Sequence, residues 1–199
     1  MMAMTHALAG LVLATLVVRF GGGDPTVVVA AAVAGSLFPD LDIYAGHRKT
    51  LHYPVFGWVP AGLAVALAIA APATGTLALA AFLLAAALHP VMDLYGGGLE
   101  LRPWEGESEQ AVYSHFHDRW LSPRRLVPYD GSPRDLATAV VLAVPAVTLP
   151  DPVPAVVVAI LAVATTYVAL RKRLASLWAT LARALPAPLA RHVPARFFE

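Results

Sequence analysis

His89 and Asp93 stand four residues apart at the end of an uninterrupted apolar run, 77–88. On a helix that spacing puts both on one face. An imidazole and a carboxylate deep in an apolar segment need a partner or a cation, because an isolated ionisable group there is costly. A buried His–Asp hydrogen bond is the metal-free alternative for this pair. Pro90 is expected to disturb the turn before it and to leave the spacing after it intact. Asp40 and Asp42, in Phe38-Pro39-Asp40-Leu41-Asp42, place two carboxylates at i, i+2 beside a proline that ends a helix. They can converge on one cation or form an acidic, helix-terminating turn. His47 and His52 flank Arg48-Lys49-Thr50-Leu51, and a neutral imidazole is the commonest metal ligand. A basic loop touching lipid headgroups is the other reading of that stretch. His6, near the start of the first apolar segment, is expected to face inward, since facing lipid would be expensive. His115 and His117 either join the site, transfer protons or sit in a solvated loop, and His192 has no expected role.

Together these residues offer imidazole nitrogens and carboxylate oxygens from separate segments. Cysteine is absent, so no thiolate competes and no disulfide framework exists. Such donors suit Zn²⁺, Mn²⁺ or Fe²⁺, with zinc favoured by availability and by the lack of a redox demand. A bound ion of this kind can activate water and polarise an ester or phosphoester. No Ser–His–Asp elbow, phosphate-binding loop or dinucleotide fingerprint occurs.

The elements that must position these side chains read as membrane helices. Of 199 residues 58% are hydrophobic and only 14% charged, against about 25% in a soluble domain. The charges cluster between long uncharged stretches, as a bilayer requires. Six segments suit a membrane: 4–20, 26–38, 55–71, 74–95, 136–149 and 153–170. The second is short for a span of about 20 residues, so its end is expected to dip into protein. The fifth and sixth, joined by Pro150-Asp151-Pro152, form a full or a re-entrant hairpin. The first lacks a basic leader and a convincing cleavage site, and reads as a retained helix. From 171 onward Leu174, Leu177, Trp178, Leu181 and Leu185 recur at helical spacing near Arg171, Lys172, Arg173 and Arg183. This predicts an amphipathic helix, lying on the membrane surface or packed on the bundle.

The expected class is therefore an all-α polytopic membrane bundle of about six transmembrane or re-entrant helices. It comprises a helical domain over 1–170, with a hydrophilic loop at 96–135, and an amphipathic basic tail over 171–199. With six spans, thirteen of the fourteen Lys and Arg fall on one face and only Arg19 on the other. The positive-inside rule then puts both termini in the cytoplasm. All seven histidines and eleven of thirteen acids share that basic face. A net charge of +1 gives no case for nucleic acid as a partner.

Thr5-His6 with Gly10, then Phe38-Pro39-Asp40-Leu41-Asp42, then His47-Arg48 with His52, then His89-x-x-x-Asp93 together resemble the YdjM-type family of membrane-bound metal-dependent hydrolases. That family is also described as LexA-binding and inner-membrane-associated. The resemblance covers residues 1–105, in order and with suitable apolar spacers. Where the family commonly has Thr-His-Ser, this chain has Leu51-His52-Tyr53, so a hydroxyl beside that histidine is missing. The set His6, Asp40, His52 and His89-x-x-x-Asp93 is similar, more weakly, to zinc-dependent phospholipase C and P1-type nucleases. That second likeness implies a phosphoester substrate, a lipid headgroup among the candidates.

The resulting expectation is a metal-dependent hydrolase of the cytoplasmic membrane, acting at the cytoplasmic face on an ester or phosphoester. His6, Asp40, Asp42, His52, His89 and Asp93 are the expected ligands, with His47 as a further one. Asp42 is the expected general base, and Arg48 the group that holds an anion. Expected partners are membrane lipids and a small-molecule or lipid substrate. The alternative is a non-enzymatic metal-binding membrane protein that anchors a cytoplasmic protein. A transporter would need ionisable residues through the membrane depth, and the far face has almost none.

Overall fold

The computed structural model describes residues 1–198. Its helices are α1 (Ala3–Gly21), α2 (Pro25–Leu37), α3 (Trp58–Ala70), α4 (Thr74–Leu94), α5 (Pro133–Ala146), α6 (Val153–Ala184) and the short α7 (Ala187–Ala190). Two 3₁₀ turns, Phe38–Tyr44 and Ala195–Phe198, follow α2 and α7. The only strands among the described residues, β1 (Val112–Ser114) and β2 (Arg119–Leu121), pair antiparallel with Tyr113 opposite Trp120. The all-α class expected from the sequence is the observed one.

Local chemistry fixes the helix ends. Gly22 and Gly23 take positive φ (79° and 81°), which breaks α1 without steric cost. Asp24 then caps α2, accepting from Thr26 N at 2.8 Å with Pro25 at the first helical position; both features favour helix initiation. Ser132 and Pro133 repeat the device at α5, where Ser132 Oγ accepts from Asp135 N at 3.1 Å.

The six long helices alternate in direction, so one end of the bundle collects the polar residues. His6 opens α1, Ser36 closes α2, His89 and Asp93 close α4, and Asp135 opens α5. Asp135 is fully buried and accepts from Met2 N (2.8 Å), Thr5 Oγ1 (2.6 Å) and Gly131 N (3.0 Å). It thereby ties the start of α1 to the start of α5. Below this end the bundle is apolar. One cluster packs Leu8 and Leu11 of α1 on Ala139, Ala143 and Ala146 of α5 and Val157 and Ala164 of α6. A second packs Ala14 on Val28 and Ala32 of α2, Ala64 and Ala68 of α3, and Leu77 and Ala81 of α4. Helix α1 thus lies between both clusters.

Small residues let the backbones approach, as in membrane helix packing. A Cβ at Gly10 would lie 2.8 Å from the Ala32 carbonyl, and one at Gly35 would overlap the Phe82 carbonyl. Gly35→Leu is therefore expected to lower the melting temperature sharply or to prevent recovery of folded protein. Gly62, whose Cβ would meet nothing within 4 Å, supplies the control: Gly62→Leu should melt as the parent does in the same detergent.

The helix lengths refine the expected segments, and one expected boundary needs revision. Four helical stretches are long and apolar enough to cross a membrane: Ala3–Gly21, Pro25–Tyr44, Thr74–Leu94 and Val153–Ala184. The second reaches that length because the 3₁₀ turn continues α2. Helices α3 and α5 have only 13 and 14 residues, yet each returns the chain to the opposite end of the bundle. No break occurs at 171; α6 runs unbroken for 32 residues. The basic run Arg171-Lys172-Arg173 reads as a helix boundary in sequence, but Arg171 turns inward. Its guanidinium donates to both oxygens of Asp130 (Nε 2.8 Å, Nη2 3.0 Å) and to the Leu101 carbonyl (3.1 Å). A paired, hydrogen-bonded arginine can be buried without ending a helix.

Candidate metal centre

Asp42 organises the loop after α2. Its Oδ1 accepts from His47 Nδ1 (3.0 Å) and faces Arg48 N (3.4 Å); its Oδ2 accepts from Leu51 N (3.1 Å) and His52 Nδ1 (3.0 Å). The chain from 47 to 52 is wound around one buried carboxylate, and Arg48 adopts φ 60° to make the turn. The consequence lies on the other edge of His52. With Nδ1–H given to a carboxylate, neutral His52 presents a bare Nε2 lone pair. Helix α4 repeats the arrangement by another route. His89 Nδ1 lies 2.6 Å from the Ser36 carbonyl oxygen, which can only accept, so Nδ1 carries a proton and, in the neutral imidazole a metal requires, Nε2 is the lone-pair nitrogen. Both Nε2 atoms are buried and have no hydrogen-bond partner.

These two nitrogens face the same carboxylates. His89 Nε2 is 3.4 Å from Asp40 Oδ1 and 3.4 Å from Asp93 Oδ2. His52 Nε2 is 3.9 Å from Asp40 Oδ1 and 3.6 Å from Asp93 Oδ2. All four separations exceed the usual range of about 2.7–3.2 Å for such hydrogen bonds. They match the spacing of ligand atoms around a shared ion, roughly 3.3 Å when donors surround it tetrahedrally at about 2.0–2.1 Å. Asp40, His52, His89 and Asp93 offer ligand atoms all within 4.8 Å of one another. This buried cluster could hold a metal ion. Its outer contacts fit that role, since metal-bound histidines almost always donate their second N–H to a carboxylate or carbonyl. Here Asp42 and Ser36 accept them.

The remaining site residues surround this group. His6 stacks on His89, with ring centroids 3.7 Å apart at 18°, and its Nε2 lies 3.1 Å from Asp93 Oδ1. His6 therefore touches a member of the four-residue group without belonging to it, and its Nδ1 is a further buried atom with no hydrogen-bond partner. The Met1 amino group lies 2.6 Å from the same Asp93 oxygen. Arg48 Nε faces Asp93 Oδ2 at 3.5 Å, while Nη1 donates to the Gly97 carbonyl (2.9 Å) and approaches that of Ala111 (3.4 Å). Asp42 and His47 sit behind His52, outside the group, and bond each other. His115 donates from Nε2 to the Lys49 carbonyl (2.7 Å) and stacks on Tyr53. His117 Nδ1 bonds Ser114 Oγ (2.9 Å). Both belong to the β-ribbon, and His192 lies exposed near Arg191.

Asp40 is the ligand-type residue open to solvent, with its side chain 34% exposed against 2% or less for the other three. It stands in a cleft of about 310 Å³ that Asp93, Arg48, Glu100 and Arg171 also line. Sequence reasoning missed three contributors. Ser36 acts through its backbone, which leaves no side-chain signal. Asp135 is marked in sequence by the Ser132-Pro133 cap but not by its bonds to Met2 and Thr5. Asp130, which pairs with Arg171, lies in a loop with no periodicity to read.

No protein-family model, curated protein or solved structure matches the chain. The resemblance to the YdjM-type family rests on the motif residues themselves.

Proposed function

We propose that this chain is an integral membrane metal-dependent hydrolase acting on an ester or phosphoester, with Asp40, His52, His89 and Asp93 holding the ion. One observation carries the reading: two buried imidazoles, each oriented by an acceptor on Nδ1, converge unpartnered Nε2 atoms on two carboxylates. In a chain without cysteine, two nitrogens and two carboxylates favour zinc, with manganese or iron as alternatives. When bound, such an ion supplies Lewis acidity toward an ester or phosphoester oxygen and acidifies water. Asp40, at the solvent-facing edge, is positioned to exchange protons with an incoming water. Asp42, fully committed to four N–H groups, acts instead by holding His52. Arg48 borders the cleft beside Asp93 and favours a substrate that brings negative charge. The apolar helices support a site at a membrane face, and the thirteen-to-one basic asymmetry favours the cytoplasmic one.

The test is metal content and hydrolysis on one detergent-purified sample. Stoichiometric zinc, manganese or iron, together with metal-dependent cleavage of a soluble phosphoester, is expected; a metal-free protein would refute the reading. Asp42→Asn should weaken metal binding by about 10–100-fold, the usual loss when a group orienting a ligand is altered. Competition with a chelating dye measures this, and unchanged affinity would remove Asp42 from any role in the site. Cytoplasm-active and exterior-active reporters fused after Phe20, at Gly46, after Ala71 and at the C-terminus test orientation. Exterior activity at the C-terminus would overturn it.

A further inference from the structure

The cleft at the metal cluster does not end in polar residues. It is also lined by Ile43, Trp178 and Phe197. The same three residues also line a second cavity of about 620 Å³, whose remaining walls include Tyr44, Leu181, Leu185 and Val193. Every residue lining this second cavity is apolar or aromatic, and its polar side-chain groups are the Tyr44 hydroxyl and the Trp178 indole N–H. Much of its wall is apolar surface turned away from the protein interior: Tyr44, Trp178 and Leu181 are 78%, 52% and 47% exposed. Leaving such large side chains clustered and uncovered is unfavourable unless something apolar covers them.

The trough and the cleft are thus neighbours along one wall, apolar at one end and charged at the other. The charged end carries Arg48 and Arg171 beside Asp40 and Asp93. The apolar end lies at the last residues of two helical stretches long and apolar enough to cross a membrane, Pro25–Tyr44 and Val153–Ala184. Small-molecule sites typically span about 300–1,000 Å³ and combine apolar walls with a few placed polar groups. We infer that the substrate is a phosphate-headed lipid, its acyl chain lying in the trough between the 3₁₀ turn Phe38–Tyr44 and the C-terminal half of α6, and its head entering the cleft at Asp40. This inference rests on the hydrolase reading and names the substrate class of that site. Leu181 and Leu185 grip the chain, and Trp178 with Ile43 marks the passage from tail to head. The cleft's own carboxylates repel an anionic head, so head binding depends on the divalent ion.

The test uses the full chain in detergent, loaded with zinc, and three probes measured by titration calorimetry. These are a long-chain lysophosphatidic acid, glycerol 3-phosphate as its head alone, and a long-chain alcohol as its tail alone. The lysophosphatidic acid should bind at least about 100-fold more tightly than either fragment, as burial of several methylenes implies. Leu181→Gln combined with Leu185→Gln changes two partly exposed side chains, so the fold should persist. That variant should lose at least about tenfold in lysophosphatidic acid affinity and keep its affinity for glycerol 3-phosphate. Equal affinities for parent and variant would overturn the inference, as would an alcohol binding as well as the phosphate-headed lipid. Dimerisation abolished by the double variant, with lipid affinity unchanged, would assign the trough to a second copy of the chain and overturn it also. Cleavage of bis(p-nitrophenyl) phosphate on the same samples separates the two levels. Cleavage with chain-independent binding removes the trough alone, whereas chain-dependent binding without any cleavage removes the hydrolase and leaves the lipid site standing.

Discussion

His89→Ala is expected to abolish stoichiometric metal binding while the protein still inserts and folds. The substitution deletes one of two unpartnered Nε2 atoms and leaves Asp40 and Asp93 facing each other across a buried gap. Altering groups that merely orient a ligand costs about 10–100-fold in affinity; deleting a ligand should cost more than about 100-fold. The apolar clusters that join α1 to α2, α4, α5 and α6 do not include His89, so the bundle should remain. Metal analysis after gel filtration reads the loss directly. Retention of one ion per chain in His89→Ala would exclude this histidine as a ligand.

Asp93→Asn is the second large effect, because Asp93 is the most connected charge in the site. Its two oxygens face His6, His52, His89, Arg48 and the Met1 amine at 2.6–3.6 Å. The amide keeps the shape and removes the charge. Metal affinity should fall at least about tenfold, and phosphoester cleavage should fall with it. Arg48 would lose a buried counter-charge, a change that typically costs about 3–5 kcal/mol, so the melting temperature should fall as well. The two readouts separate two roles. A purely structural Asp93 predicts a lower melting temperature with unchanged metal content; a ligand predicts loss of both. Excess zinc at about 100 times its dissociation constant should stabilise the parent by about 2.7 kcal/mol. It should stabilise Asp93→Asn much less at the same concentration.

The parts of this architecture that were legible in sequence are those governed by local rules. The i, i+4 spacing of His89 and Asp93 on an apolar helix survives folding, since Pro90 sits inside a helix that continues to Leu94. The glycines after Phe20 and the Pro39-Asp40 turn end helices where their backbone preferences say they should. The inner and outer positions around the ion were not legible. Asp42, His47 and His52 lie within one stretch, each five residues from the next, and sequence spacing cannot say which of them faces the cluster. Both histidines bond Asp42, and it is His52 whose Nε2 faces Asp40 and Asp93. Ser36 orients His89 through a carbonyl that every residue type possesses. The length of α6 was hidden for an electrostatic reason: Arg171 looks like an interfacial charge until its partner, Asp130, is seen 41 residues earlier.

X-ray absorption at the edge of the metal that co-purifies with the protein tests the metal centre most directly. A first shell containing imidazole nitrogens and carboxylate oxygens at about 2.0–2.2 Å, with no ion retained in that shell by His52→Ala or His89→Ala, is the expected result. A metal-free protein, or an ion surrounded only by oxygens at its hydrated distances and indifferent to both substitutions, would contradict the assignment of Asp40, His52, His89 and Asp93 as a metal site.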